Sequence, residues 1–169
     1  NNEGNHGEDV KELYYYLDNL PSHYYMKYLY KYPQQAFPYE DLVNTNKNRN
    51  KFEEEYELLD TGIFDQDAYF DVSVTYAKQD SEDISICLEV ANKGKNAATI
   101  TVLPTLWFFN KWQYGQMQQK PQLQRINEQT VKATHEDLGT YYYYVQQPQA
   151  IFFTENETNT ERLFGRPNP

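Results

Sequence analysis

Residues 69–91 read YFDVSVTYAKQDSEDISICLEVA. In the first run Phe70, Val72, Val74 and Tyr76 alternate with Asp71, Ser73 and Thr75; in the second Ile84, Ile86, Leu88 and Val90 alternate with Ser85 and Glu89. A period of two belongs to a strand with one buried and one wet face, and sheets of such strands are usually antiparallel. The polar residues Gln79 to Asp83 make the turn between the two runs. Downstream, Asn92 to Asn96 is a second turn, with Gly94 free to take a positive φ. Thr99 to Phe109 is expected as a longer, more apolar strand, bent or edged at Pro104. Further strands are expected at 130–134, 141–146 and 150–154. Short strands punctuated by polar turns predict a mainly all-β chain, an antiparallel β-sandwich with one short helix and long loops.

Upstream the pattern is less regular over residues 1–52, and the strand pattern occupies 53–169. Val10, Leu13, Tyr14 and Leu17 have helical spacing, although tyrosine favours strands. Within Ser22 to Tyr32, Tyr24, Met26, Tyr28, Tyr30 and Tyr32 share one face and Lys27 and Lys31 the other, which predicts a strand. Pro38-Tyr39-Glu40-Asp41 opens a short helix, with proline at its first position and acids in its first turn, and the polar stretch Asn44 to Asn50 is expected to end it. No long-period repeat is visible, which weighs against a solenoid or propeller.

The chain has 169 residues and 20.1 kDa, room for one domain with a real core or two very small ones. Its net charge of −10 argues against nucleic-acid phosphates or an anionic membrane as partners. No apolar run is long enough to span a bilayer. A lone cysteine, Cys87, leaves no internal disulfide to hold the fold. The mean hydropathy of −0.92 resembles that of a disordered chain. Yet 17 tyrosines, 9 phenylalanines and 2 tryptophans bury large apolar areas while hydropathy scales score tyrosine as polar, and disordered chains are poor in aromatics. The core is therefore expected to be built from tyrosine and phenylalanine as much as from aliphatics. The chain begins at Asn1 with no signal peptide in view and closes on turn-forming Gly165-Arg166-Pro167-Asn168-Pro169. Both ends read as loops of a longer protein, and the location expected is cytoplasmic.

Several clusters carry possible chemistry. His6, Glu8 and Asp9 gather an imidazole and two carboxylates beside Gly7, either a metal or sugar-binding loop or a solvated one. Asp65 and Asp67 form a carboxylate pair of the kind that hydrolyses glycosides, or a chance pair in an acidic chain; Glu136-Asp137 reads as a turn. Two regions are more specific. Trp107, Asn110 and Trp112 stand where a long strand runs out, and aromatic faces with a nearby amide suit a sugar ring; the other reading is core or interface aromatics. Glu155, Asn156, Glu157 and Asn159 follow the apolar Ile151-Phe152-Phe153 and suit polyol recognition or loop-holding Asx turns. Asn156-Glu157-Thr158 is formally a glycosylation sequon, idle without a secretion signal. Tyr141 to Tyr144 put tyrosine on both faces of one strand, and Tyr14 to Tyr16 do the same, which asks for a covering neighbour. No Gly-rich phosphate loop, CxxC pair or GxSxG elbow occurs.

NHGEDVKELYYYLDNLPSHYYMKYLYKYPQQAFPYEDL from Asn5, EYELLDTGIFDQDAYFDVSVTYAK from Glu55, VLPTLWFFNKW from Val102 and FTENETNTERLFGRPN from Phe153 together resemble the N-terminal region of large bacterial proteins in the glycoside hydrolase family 63-like group. The likeness runs in order along nearly the whole chain and is weakest from Gln113 to Gln149. It implies a β-sandwich that precedes an (α/α)6 barrel carrying the acid and base of an inverting glucosidase, with no redox cofactor. This chain would be a fragment of that larger super-β-sandwich, a single domain or part of one over 1–169. The family's catalytic carboxylates match no position here. The resemblance therefore implies a non-catalytic domain with no metal or other cofactor. It would pack on the barrel of the same polypeptide and lend loops to the rim of a carbohydrate site; Trp107, Asn110, Trp112, Glu155, Asn156, Glu157 and Asn159 are the rim candidates, on their polar and aromatic character at strand ends. The alternatives are a free-standing carbohydrate-binding module and a purely structural interaction domain.

Overall fold

The computed structural model describes residues 12–168. His6, Glu8 and Asp9, and Val10 of the supposed helical spacing, lie outside them. The described chain is dominated by β-structure, with two antiparallel sheets and short helices. It divides between Thr101 and Val102 into two compact units, and each unit holds one sheet.

In the first unit β1 (Leu13–Asn19), β2 (Tyr25–Pro33), β3 (Tyr69–Lys78) and β4 (Ile84–Asn92) pair in sequence order. The helical spacing at 10–17 is overruled, because Leu13 to Asn19 form a strand. Tyr14 pairs with Tyr30 and Tyr16 with Tyr28 across β2, and the two rings of β1 meet edge-on at 5.9 Å. Cross-strand aromatic pairs of this kind outweigh a weak helical propensity. A bulge between Tyr16 and Asp18 absorbs Leu17.

The register carries one apolar row across all four strands. Tyr28 faces Val74 and Val74 faces Leu88; Tyr30 faces Val72 and Val72 faces Val90; Met26 faces Tyr76 and Tyr76 faces Ile86. The alternation read from the sequence thus fixes which residues share a face. Their burial differs from expectation. Phe70 and Val74 on the central strand are buried, but Ile84, Ile86, Leu88 and Val90 on β4 stay 38–50% exposed. The opposite face is mixed: Leu13, Tyr15 and Leu29 share it with Lys31, whose ammonium donates to Asp71 at 2.8 Å and sits 4.4 Å from the Tyr69 ring centroid.

The turns are held by asparagine and aspartate. Asp80 Oδ1 accepts from the amides of Glu82 and Asp83 at 2.8 and 2.9 Å, which closes the β3–β4 hairpin. At the second turn Asn92 Oδ1 accepts from Gly94 N at 2.9 Å. Gly94 is not among the positive-φ glycines. Its missing Cβ instead leaves room for the Gln34 amide, whose atoms would stand 3.1–3.2 Å from one.

Helix α1 (Tyr39–Asn48) starts after Pro38 with Glu40 and Asp41 in its first turn. The helix ends at Asn48 within the polar stretch Asn44 to Asn50, as expected, and its last turn is made of that stretch. There Asn46 is locked by a reciprocal pair with Tyr56, accepting from its amide and donating to its carbonyl at 2.8 Å each. Leu42 of α1 is fully buried against Leu58 of a 3-10 turn (Leu58–Thr61) and Ile63, with Leu13, Phe37, Tyr56 and Phe64 packed around them.

The second unit holds β5 (Gln122–Arg125), β6 (Thr130–His135) and β7 (Gly139–Tyr144), again in sequence order. The strands expected at 130–134 and 141–146 are present; β5, with one apolar residue in four, was not foreseen. Val131 and Ala133 are buried on one face, while Tyr142 and Tyr144 on the other are exposed and stacked at 6.4 Å. The strands expected at 99–109 and 150–154 do not form, and both stretches lie outside regular structure. Strand-favouring composition makes a strand only where a neighbour completes the ladder, and Pro104 also lacks the donor a ladder would use. A second short helix, α2 (Thr160–Phe164), was not expected; Asn159 caps it, its side chain accepting from Arg162 N at 3.1 Å.

Candidate functional site

Two stretches far apart in sequence meet in the second unit. Residues 107–112 end in a 3-10 turn (Trp112–Tyr114) closed by Gly115 at φ +65°. Residues 155–159 turn at Asn156, which is left-handed at φ +57°. That conformation suits asparagine better than most residues. The Asn156 side chain then does what a neighbouring strand would: Oδ1 accepts from Phe108 N at 2.8 Å and Nδ2 donates to Phe108 O at 2.9 Å. The Asn110 amide donates to the Asn156 carbonyl at 3.4 Å. Side-chain amides thus clip one stretch to the other.

On this clip sits a charged group. Trp112 Nε1 donates to Glu157 Oε1 at 3.4 Å. Lys120 Nζ donates to Glu155 Oε2 at 2.8 Å and to Glu157 Oε1 at 3.2 Å, and lies 5.5 Å from the Trp112 ring centroid. The hydrogen bond to Glu155 is the main cause that holds the Lys120 pKa above its ordinary value; desolvation opposes it and the bond to Glu157 adds to it. The Glu155 side chain is 81% exposed and that of Glu157 18%, so one carboxylate faces water while the other is held under the indole edge. The arrangement offers an aromatic face, a cation and two acceptor groups at one place, a set suited to a hydroxyl-rich ligand.

Five of the seven residues singled out from the sequence are therefore brought together: Asn110, Trp112, Glu155, Asn156 and Glu157. Trp107 is 67% exposed beside them in sequence. Asn159 serves as a helix cap. The amide of Asn156, the sequon asparagine, is already committed to Phe108, which makes it a poor acceptor for glycosylation. Lys120 was missed: it is 35 residues from Glu155, and a single lysine in a glutamine-rich loop gives no local signal.

The remaining carboxylates play turn roles. Asp67 is left-handed at φ +55° just before β3, and Asp65 N donates to Gly62 O at 3.0 Å, so this pair belongs to the turn entering the first sheet. Glu136 accepts from Gln118 N and Gln119 N at 3.2 and 3.1 Å and borders a shallow, open depression with Gly115, Met117 and Asp137. Among the described residues no three or more His, Cys, Asp or Glu side chains group as metal ligands would. No helix among them is long and apolar enough to cross a membrane.

No protein-family model and no solved structure matches the chain. It is similar to a protein of Saccharomyces cerevisiae described as "Uncharacterized protein YMR196W", 35% identical over 197 residues. The match takes in 96% of this chain and 18% of the yeast protein, so the chain spans less than a fifth of the length of that relative.

Proposed function

We propose that this chain is a non-catalytic β-sandwich portion of a cytoplasmic glucosidase-like glycoside hydrolase. In this reading it packs on an (α/α)6 catalytic barrel of the same polypeptide and lends the Trp112–Lys120–Glu157 group to the rim of the sugar site. The observation that carries it is the junction of residues 107–112 with 155–157, which assembles an indole, a cation and two carboxylates outside any sheet. The four stretches that resemble the family 63-like group support it, as does the much greater length of the yeast relative. A sandwich, in which each sheet has its apolar face covered, belongs to the same reading. Trp112→Ala and Glu157→Ala in the intact polypeptide should each lower kcat/KM for an α-linked glucoside by about tenfold or more, the cost of roughly one good contact at the transition state. Wild-type kinetics for both would overturn the rim role.

One observation favours a second reading, a free-standing carbohydrate-binding module. Trp107 and Phe109, two apart in a stretch outside regular structure, are 67% and 71% exposed and could together offer an aromatic platform. Titration calorimetry of the 169-residue chain against malto- and manno-oligosaccharides separates the two. Binding tighter than about 1 mM, or roughly −4 kcal/mol, supports the module; no binding supports the barrel-dependent domain.

A further inference from the structure

The four-stranded sheet presents an apolar face that is covered at Phe70 and Val74 but that its own unit leaves open along β1 and β4. Tyrosines of β1 and β2 lie at one side, Phe70, Val72 and Val74 in the middle, and the aliphatic row of β4 at the other. Tyr16 is 83% exposed at one margin and Ile84 50% at the other. The opposite face carries Lys31, Asp71 and Glu89 beside Leu13, Tyr15 and Leu29, so it is the wet side only by comparison with the dry one.

The chain's other sheet is too small to be the whole cover. Strands of 7, 9, 10 and 9 residues make the four-stranded sheet, and strands of 4, 6 and 6 the three-stranded one. At about 3.4 Å per residue and about 4.8 Å between strands, the faces measure roughly 570 and roughly 260 Å². Even a complete superposition would leave about half of the larger face bare, a patch of the size that on a monomer is often functional. Meanwhile more than four-fifths of the yeast relative lies outside the stretch that matches this chain.

We infer that this face is an intramolecular docking surface for a part of the same polypeptide beyond residues 1–169. The docked part is aliphatic where it meets β3 and β4 and carries hydrogen-bond acceptors where it meets the tyrosine hydroxyls of β1 and β2. The inference rests on the preceding reading only in placing the chain within a longer polypeptide; it needs neither a barrel nor a sugar.

Cys87 supplies the test. It pairs with Thr75 and points to the wet face, whereas its neighbour Leu88 pairs with Val74 on the dry face. Maleimide labelling is compared for the native thiol and for a Cys87→Ser/Leu88→Cys variant, with Cys87→Ser/Ile86→Cys as a second dry-face probe. Each is made in the 169-residue chain and in the full product of its gene, with circular dichroism confirming the fold. In the short chain all three thiols should react at similar rates. In the full product positions 86 and 88 should slow by about tenfold or more while Cys87 is unchanged, since thiol reactivity follows access. Equal rates in the full product, or a full product that ends with this chain, would overturn the inference. Slowing in the short chain that grows with its concentration would overturn it in favour of a second copy. Kinetic failure of the Trp112 and Glu157 variants to change turnover would sink the rim role and leave this labelling result standing.

Discussion

The Asn156 side chain pairs with Phe108 as a backbone would, and it does so from a left-handed conformation. Both properties are needed at once, so no other residue replaces it fully. Asn156→Ala loses two half-buried hydrogen bonds and adds backbone strain, and should cost about 1–3 kcal/mol in urea unfolding. Asn156→Gly keeps the conformation but not the bonds. It should fall between, with hydrogen exchange at the Phe108 amide quickened in both variants. Lys31 makes a different prediction. Burial works against its charge, but the hydrogen bonds to Asp71 and Tyr69 outweigh it and raise its pKa. A raised folded pKa means the stabilisation is fully present below the unfolded value of about 10.4 and is lost as pH climbs through the folded one. The difference in urea midpoint between wild type and Lys31→Met should therefore hold steady from neutral pH to about 10 and close above it. A gap that closes on acidification instead would assign the effect to another group.

At the scale of elements, the turn that leads from the 3-10 segment into β3 depends on Gly62. It sits at φ +71°, and a Cβ there would meet Asp65 Oδ2 at 2.8 Å. The carboxylate is the free end of a side chain and can move, so the backbone conformation sets the cost. Gly62→Ala should destabilise by about 1–2 kcal/mol, readable as a lowered thermal midpoint with sheet circular dichroism retained. Elements also show what the sequence could and could not tell. The alternation at 69–76 and 84–90 placed β3, β4 and their shared face, because a one-residue slip would expose every apolar side chain. Residues 99–109 alternate less and are simply apolar, and apolar content does not say whether a partner strand exists. β5 escaped for the converse reason: Gln122-Leu123-Gln124-Arg125 has little strand character and forms because β6 pairs with it. In the site, the aromatic and acidic stretches stood out as compositions, while Lys120 became visible only once the chain brought it to Glu155 and Glu157.

For the molecule as a whole, surface exposure dominates. Among the described residues the buried apolar side chains are few: Leu42, Leu58, Ile63, Phe70 and Val74 in the first unit and Val131 and Ala133 in the second. The aromatic excess that first argued for a core is in large part displayed instead: Tyr14, Tyr16, Trp107, Phe109 and Tyr144 are all more than half exposed.

The open face of the four-stranded sheet also has a thermal consequence. The heat capacity gained on unfolding comes from apolar groups newly exposed to water, ordinarily about 12–15 cal/mol/K per residue. Here the side chains of β4 are already half in water before unfolding begins. Calorimetry of the chain by itself should give a heat-capacity step well below that range, and so a shallow stability curve with a broad transition. Whatever settles on the sheet would restore the step and, with it, the curvature that sharpens melting at both the warm and the cold end.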